Sequence, residues 1–345
     1  MDSMKLEDCC EILDSQRVPI TGSDRTSGDY PYYGANGIQD YVDDFIFDDE
    51  LVLLAEDGGN FGSKTRPIAY RVSGKCWVNN HAHVLKPKAG LDVDYLCYSL
   101  MFYDVGGMVN GATRQKLTQA AMRQMIIPKR SLDEQIEIVN IIKKVQGVIA
   151  SRKEELEQLD LLIKARFVEL FGDININDKN WKYEPLGELC TIVRGGSPRP
   201  IEQFLGGDVP WIKIGDATDG DSIYLNSTKE HIIQEGIKKS RLVKEGSLIF
   251  ANCGVSLGFA RIITFDGCIH DGWLAMEDID ERLDKVFLLQ ALNQMTEHFR
   301  AIAPAGTQPN LNTAIMKAYK QVIPPIELQR EFINFAKRVT KSKVV

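Results

Sequence analysis

Three short stretches of this 345-residue sequence hold side chains of the kind that do chemistry, and none completes a catalytic pattern. Gly62-Ser63-Lys64-Thr65 has the lysine and threonine of a phosphate-binding loop, but Ser63 stands where such a loop needs glycine, and no helical pattern follows. His81-Ala82-His83 near Cys76 offers metal-type ligands; alternate residues on a strand share one face, yet no third or fourth ligand lies nearby in the sequence. Pro324-Pro325 is the only Pro-Pro step. It is preceded by Ile323 and followed by Ile326, so the Asn/Asp-Pro-Pro-aromatic tetrad of an amino-methyltransferase is missing, as is a glycine-rich cofactor loop. The seven cysteines are odd in number and scattered, with no Cys-x-x-Cys pair, which predicts reduced, mostly buried thiols. No catalytic residue, directly bound cofactor or metal site is expected.

What remains is a set of polar side chains in glycine-punctuated loops, of the types that contact nucleic acid: Arg and Lys suit phosphate or guanine, Asn and Gln suit adenine. In the first half they are Tyr33, Asn36, Asn60, Lys64, Asn80, His81, Arg114, Gln115 and Lys116. In the second they are Arg199, Lys213, Asn252, Thr307, Gln308 and Asn310. The elements Gly111-Ala112-Thr113-Arg114-Gln115-Lys116 and Gly306-Thr307-Gln308-Pro309-Asn310 lead this set. Net charge is −7, and neither half is basic: Lys+Arg against Asp+Glu is 14 to 18 over residues 1–130 and 15 to 18 over 181–326. A grip built on phosphate neutralisation would therefore be weak for the chain alone.

The elements that must position these residues are repeated. Lys5-Leu6-Glu7-Asp8-Cys9-Cys10-Glu11-Ile12 is echoed by Pro185-Leu186-Gly187-Glu188-Leu189-Cys190-Thr191-Ile192, and Asp29-Tyr30-Pro31-Tyr32-Tyr33 by Asp208-Val209-Pro210-Trp211-Ile212. The two Gly-Thr/Ala elements above form the third echo. The fourth is an apolar-Pro step into a helix, Ile127-Pro128 through Gln135 against Ile323-Pro324 through Glu331. Between the echoes, runs such as Leu51-Val52-Leu53-Leu54 and Leu248-Ile249-Phe250 alternate with turn signals such as Asp57-Gly58-Gly59-Asn60, predicting an α+β domain in each half. From Ser131 to Gly172 there is no proline, and Ile142, Ile149, Leu156, Ile163 and Leu170 recur every seven residues, with Val139, Val145 and Leu159 on the same side. This predicts a coiled-coil helix of roughly 60 Å, a spacer, stopped by Gly172.

Two variable domains, each followed by a helix entered through Pro-x-x-x-Leu-x-x-Gln/Glu, resemble the specificity subunit of type I restriction-modification systems. Pro128 to Gln135 carries the entry, and Pro324 to Glu331 carries it with Glu331 for Gln; Val209 to Asp216, Gly306 to Asn312 and Tyr32 to Gly37 also look like segments of target-recognition domains. The resemblance implies an α+β protein with two tandem, pseudo-twofold-related target-recognition domains (1–130 and 174–326), a central helix (131–173) and a truncated distal helix (327–345) that pairs with it in an antiparallel coiled coil. It implies a double-stranded DNA partner with a bipartite site, two modification subunits carrying S-adenosylmethionine, and restriction subunits using ATP and Mg²⁺; none of these cofactors is expected on this chain.

The distal helix departs from that layout, stopping about 19 residues after its start. Its pairing is expected to run out near residue 153, leaving Val139, Ile142, Val145 and Ile149 for a modification subunit or for self-association. The opening Met1-Asp2-Ser3-Met4-Lys5 and the lack of 18 uninterrupted apolar residues predict a cytoplasmic protein. A coiled-coil adaptor that binds protein without DNA specificity suits the repeat and helix equally and remains the alternative.

Overall fold

The apolar run Leu51–Ala55, buried on both sides, closes the strand Phe47–Ala55 at the centre of a six-stranded sheet. The computed structural model, which describes residues 2–111, 114–218, 223–254, 256–304 and 310–343, divides into two compact units, 1–152 and 153–345. In the first, the sheet runs in the order Cys10–Ile12, Ala82–Pro87, Phe47–Ala55, Ala69–Val78, Ser27–Gly34, Gly37–Val42, and its one parallel pairing joins Tyr32 to Trp77 and Tyr33 to Val78. One face packs on the helix Val93–Leu100, around Val52, Leu54, Leu85, Leu96 and Leu100.

The second unit repeats the order with one break. Thr191–Arg194, Trp273–Glu277, Leu248–Ala251, Ala260–Ile263 and Tyr224–Leu225 form one sheet; Glu230–Ile232, Leu205–Ile212, Gly267–Ile269 and Arg241–Val243 form another. Where Ala69–Val78 runs unbroken, its counterpart is split between Ala260–Ile263 and Gly267–Ile269. The parallel pairing survives as Trp211 to Cys268 and Ile212 to Ile269, so the Asp29–Tyr33 and Asp208–Ile212 echo occupies one structural position. Likewise Ile12 pairs with Leu85 as Ile192 pairs with Met276.

The helix Leu132–Phe171 starts with a capping box, the Ser131 N–H donating to Glu134 Oε2 at 2.8 Å and the Glu134 N–H donating to Ser131 Oγ at 3.4 Å, and ends at Gly172, whose φ of +76° suits a residue without Cβ. Its first turns are tied to the first unit. Gln135, fully buried, accepts from the Asp92 N–H and donates to the carbonyls of Gly90 and Arg130; Lys143 meets Asp94 at 2.6 Å, and the Tyr98 hydroxyl donates to Gln146. The second helix, Ile326–Ser342, repeats the lock: buried Gln329 accepts from the Asp284 N–H and donates to the carbonyls of Arg282 and Pro324. The counterpart of Gln135 is therefore Gln329, not Glu331. The motif's role is to satisfy a helix N-terminus, Asp92 and Asp284 each capping the next helix, and only Gln329 faces one. Glu331 instead meets Arg166 at 2.5 Å.

Within the second unit the two helices run antiparallel, with Lys343 bound to Asp160 and Phe332 edge-on to Phe167 and Phe171 at 5.3 and 5.6 Å. Together with Phe287 these rings centre the largest apolar core. Val139 is corrected here: rather than lacking a partner in its own chain, it is buried in the first unit's core with Ile138 beside it. Heptad spacing says that a position is covered, not by what. Ile142 is half-buried, while Val145 and Ile149 are 53% and 50% exposed, with Ile141 and Val148 exposed beside them. Among the described residues, no helix is long and apolar enough to cross a membrane.

Candidate functional site

In each unit the central strand ends in a polar residue and a turn, and a second segment bridges to it there. In the first unit the strand runs into Glu56-Asp57-Gly58. The Glu56 N–H donates to the His81 carbonyl, the Leu117 N–H to the Glu56 carbonyl at 2.7 Å, and Asp57 forms a bridge with Lys116. In the second it runs into Asn252-Cys253-Gly254. The Asn252 N–H donates to the Gly272 carbonyl, the Leu311 N–H to the Asn252 carbonyl at 2.8 Å, and Cys253 bridges to Asn310. Gly58 and Gly254 share a left-handed φ of +63° and +73°, a turn that favours glycine. Leu117 and Leu311, both fully buried, pin the bridging segment. The next residues, Thr118 and Asn312, each cap a helix through a side-chain oxygen. The backbone of this node is the same in both units.

The side chains differ. In the first unit, Asp14, Glu56 and His83 are buried together. His83 Nδ1 lies 2.7 Å from Asp14 Oδ2, and Nε2 lies 2.9 Å from the Leu117 carbonyl. Arg17 bonds Glu56 Oε2 at 2.6 Å, and Lys116 bonds Oε1 at 2.9 Å. Burial raises both carboxyls, but contacts outweigh it: His83, the Val84 N–H and Gln119 hold Asp14 below the usual range, and Arg17 and Lys116 do the same for Glu56. Ligand atoms of Asp14, Glu56 and His83 fall within 4.8 Å of one another, a spacing a cation could use. Both imidazole nitrogens face protein acceptors, however, and Arg17 and Lys116 already balance the carboxylates, so the donor set is committed to holding the node.

Several of the first-half residues picked out from sequence converge here. His81 Nδ1 and Arg114 Nη2 meet Asp57 Oδ1 at 2.6 and 2.9 Å, and the Arg114 guanidinium lies over Gly58, where a Cβ would stand 3.3 Å from its Nε. Asn36 donates to the Gly58 carbonyl, and the Gln115 carbonyl accepts from the Gly58 N–H. Asn80 is exposed on the turn before His81. Three others lie apart from the node: Asn60 donates to the Pro67 carbonyl, Lys64 is exposed, and the half-buried Tyr33 ring packs on Tyr70.

In the second unit, Arg199 is exposed beside Asp271 and, with Trp211 and His270, lines a cavity of about 480 Å³; Lys213 bonds Glu230. Asn252 is a correction. It is fully buried, its amide hydrogens committed to Asn310 Oδ1 at 3.0 Å and the Leu311 carbonyl at 3.1 Å, so it reaches no external partner. Its oxygen has no partner among the described residues, a state costing about 1–3 kcal/mol. Thr307 and Gln308 lie outside the described residues. Glu56, Asp57, Asp14 and Arg17 were missed; the available signal was the acidic pair Glu56-Asp57 directly after the apolar run Leu51–Ala55.

The family model for the type I restriction modification DNA specificity domain matches residues 1–161 and 178–344, one match on each repeat. A putative type I restriction enzyme specificity subunit of Haemophilus influenzae, S.HindORF215P, is 30% identical over 342 residues, spanning 95% of this chain and 85% of its own. The MjaIX specificity subunit of Methanocaldococcus jannaschii is 25% identical over 298 residues, 77% of this chain and 67% of that protein. Among solved structures, a type I system S subunit from M. genitalium aligns over 99% of this chain and 90% of its own, with a TM-score of 0.55 at 14% identity. A chain from a study of type I R-M complex assembly aligns over the same shares, at 0.59 and 16%. Those two carry the fold. The two family matches, and a relative 30% identical along nearly the whole length, place this chain among the specificity subunits of type I restriction-modification systems.

Proposed function

We propose that each unit reads one half of a bipartite double-stranded DNA site through the rim of its node, Arg114, Lys116, His81, Gln115, Asn36 and Asn80 in the first and Asn310 in the second, with Arg199 and Lys213 of the second unit adding contacts away from its node. The observation that carries this reading is the duplicated node, an identical backbone frame presenting polar side chains of different chemistry. Basic and amide side chains at glycine-turned strand ends suit groove edges and phosphates. The chain itself performs no catalysis. Two modification subunits supply S-adenosylmethionine and methylate an adenine, and restriction subunits supply ATP and Mg²⁺ chemistry. The 40-residue helix Leu132–Phe171 sets the distance between half-sites, and its exposed Val145 and Ile149, with half-buried Ile142, dock a modification subunit or a second copy. The assembly works in the cytoplasm. The adaptor alternative has no comparable support, because a protein adaptor gives no reason for two matched polar nodes.

The test is a domain exchange. With residues 1–130 replaced by the first domain of another specificity subunit, methylome sequencing of the host should show one half of the motif changed and the other retained. A motif altered in both halves would refute independent reading.

A further inference from the structure

Two side chains stand at the same place on the two nodes. Lys116 bridges to the residue after Glu56, and Asn310 bridges to the residue after Asn252. Each is tied by its side chain to the buried residue that ends the central strand: Lys116 Nζ to Glu56 Oε1 at 2.9 Å, Asn310 Oδ1 to Asn252 Nδ2 at 3.0 Å. In each pair the holder is buried, Glu56 at 8% and Asn252 at 0%, and the held residue is accessible, the Lys116 side chain at 51% and Asn310 half-buried. The holders are themselves fixed, Glu56 by Arg17 and Asn252 by the Leu311 carbonyl.

We infer that positions 116 and 310 are matched base-reading positions, that Glu56 and Asn252 are their positioning residues, and that replacing an ion pair by an amide pair assigns guanine to Lys116 and adenine to Asn310. This inference rests on the DNA-reading function proposed above. Lysine is a donor only, and guanine offers two acceptors, O6 and N7, on its major-groove edge; adenine's N6–H₂ would face lysine donor to donor. Asparagine offers a donor and an acceptor, the complement of adenine N7 and N6. Asn252 donates to one lone pair of Asn310 Oδ1 and so orients the amide, while the second lone pair, which meets no donor among the described residues, suits an adenine N6–H. The Glu56 carboxylate acts similarly on Lys116. It compensates the ammonium charge, which lowers its worth as a phosphate anchor and leaves direction as its main contribution. This explains why an acid sits under a cation at a surface that meets DNA. Long-range attraction is not the task of this side chain.

The experiment uses the chain assembled with the modification subunits of its own system, and selects methylated molecules from a DNA pool randomised across both half-sites. Lys116→Ala should erase a guanine preference at one position of the first half-site, by roughly 5- to 150-fold, and leave the other positions unchanged. Glu56→Gln, which keeps the shape and removes the charge, should weaken that same guanine preference. The paired change Glu56→Asn with Lys116→Asn, which copies the second node into the first, should turn the preferred base at that position to adenine. The remaining positions of the first half-site report that the first unit is folded, the second half-site reports assembly, and Asn310→Ala should affect one adenine there. An unchanged first half-site profile in Lys116→Ala, or a uniform loss at all its positions, as a phosphate contact would give, overturns the inference. A wild-type complex with no bipartite preference would instead sink the DNA-reading proposal beneath it.

Discussion

The two nodes hold one backbone in place by opposite means. In the first unit His83 faces Leu54 across the strand pair, and Asp14, Glu56 and Arg17 form an ionic cluster around it that holds the half-exposed Lys116 at its edge. At the same register in the second unit Leu274 faces Phe250, and the polar content shrinks to the two amides of Asn252 and Asn310. The shared parts are the buried leucine, the glycine turn and the main-chain bonds. A frame set by main chain and apolar side chains tolerates exchange of its polar contents, which is what a recognition protein needs if its target is to change while its fold does not.

The comparison is broken most directly at the buried charges. Asp14→Ala leaves His83 and Arg17 without their shared carboxylate, and removing one member of a buried ionic set costs about 3–5 kcal/mol. Asn252→Ala in the second unit removes neutral hydrogen bonds and should cost about 1–3 kcal/mol. Hydrogen exchange, read separately for amides of residues 1–152 and 153–345, should show the larger loss confined to the first unit. Equal losses would mean that the ionic cluster contributes no more than the amides do.

Where the units are alike, the effects should be alike. Gln135→Leu and Gln329→Leu each strand an Asp N–H and two carbonyls at a helix start, and each should lower the protection of its own helix by about 1–3 kcal/mol. A large effect at one and none at the other would show that the matched geometry hides unequal roles.

A smaller difference lies in pH. Asp14 and Glu56 are held below the ordinary carboxylate values despite burial, so their ionised forms favour the folded state. That contribution is complete above about pH 4–5, the unfolded range, and is lost as pH falls through the lower folded values. The stability gap between the wild type and the double variant Asp14→Asn/Glu56→Gln should be constant near neutrality and shrink in acid. The gap for Asn252→Ala, which involves no titrating pair, should shrink far less. A pH-independent gap in the first unit would count against ionisation as the source of its stability.

The repeat and its strands were legible in the sequence because apolar runs, prolines and turn glycines leave local patterns; Pro31 and Pro210, Leu117 and Leu311 all fall at matched positions. Arg114, Lys116, His81 and Asn310 were legible as polar residues in glycine-rich loops. Their holders were not. Glu56 and Asp57 look like exposed acids after a strand until Arg17, His83 and Lys116 arrive from distant parts of the chain, and Asn252 has the composition of a reader but the burial of a support. Val139 fits the heptad pattern and is covered by its own unit, because periodicity marks a buried face without naming its neighbour.

The smallest expected effect is the stability cost of Lys116→Met, and its smallness sharpens the contrast between holding and being held. The Lys116 side chain is half exposed, and such an ion pair contributes about 1 kcal/mol or less, since solvent screens the charge and the flexible stem loses entropy when pinned. Glu56 would still be bonded to Arg17 and near His83, so its carboxylate would not be stranded. The methionine stem can still cover the strand end. First-unit hydrogen exchange in Lys116→Met should therefore lie within about 1 kcal/mol of the wild type, while Glu56→Ala, which removes the holder and leaves Arg17 and His83 with only Asp14 between them, should cost about 3–5 kcal/mol. If Lys116→Met proves as damaging as Glu56→Ala, Lys116 is a structural member of the cluster rather than a side chain presented by it, and the division between a fixed frame and an exchangeable tip fails at this node.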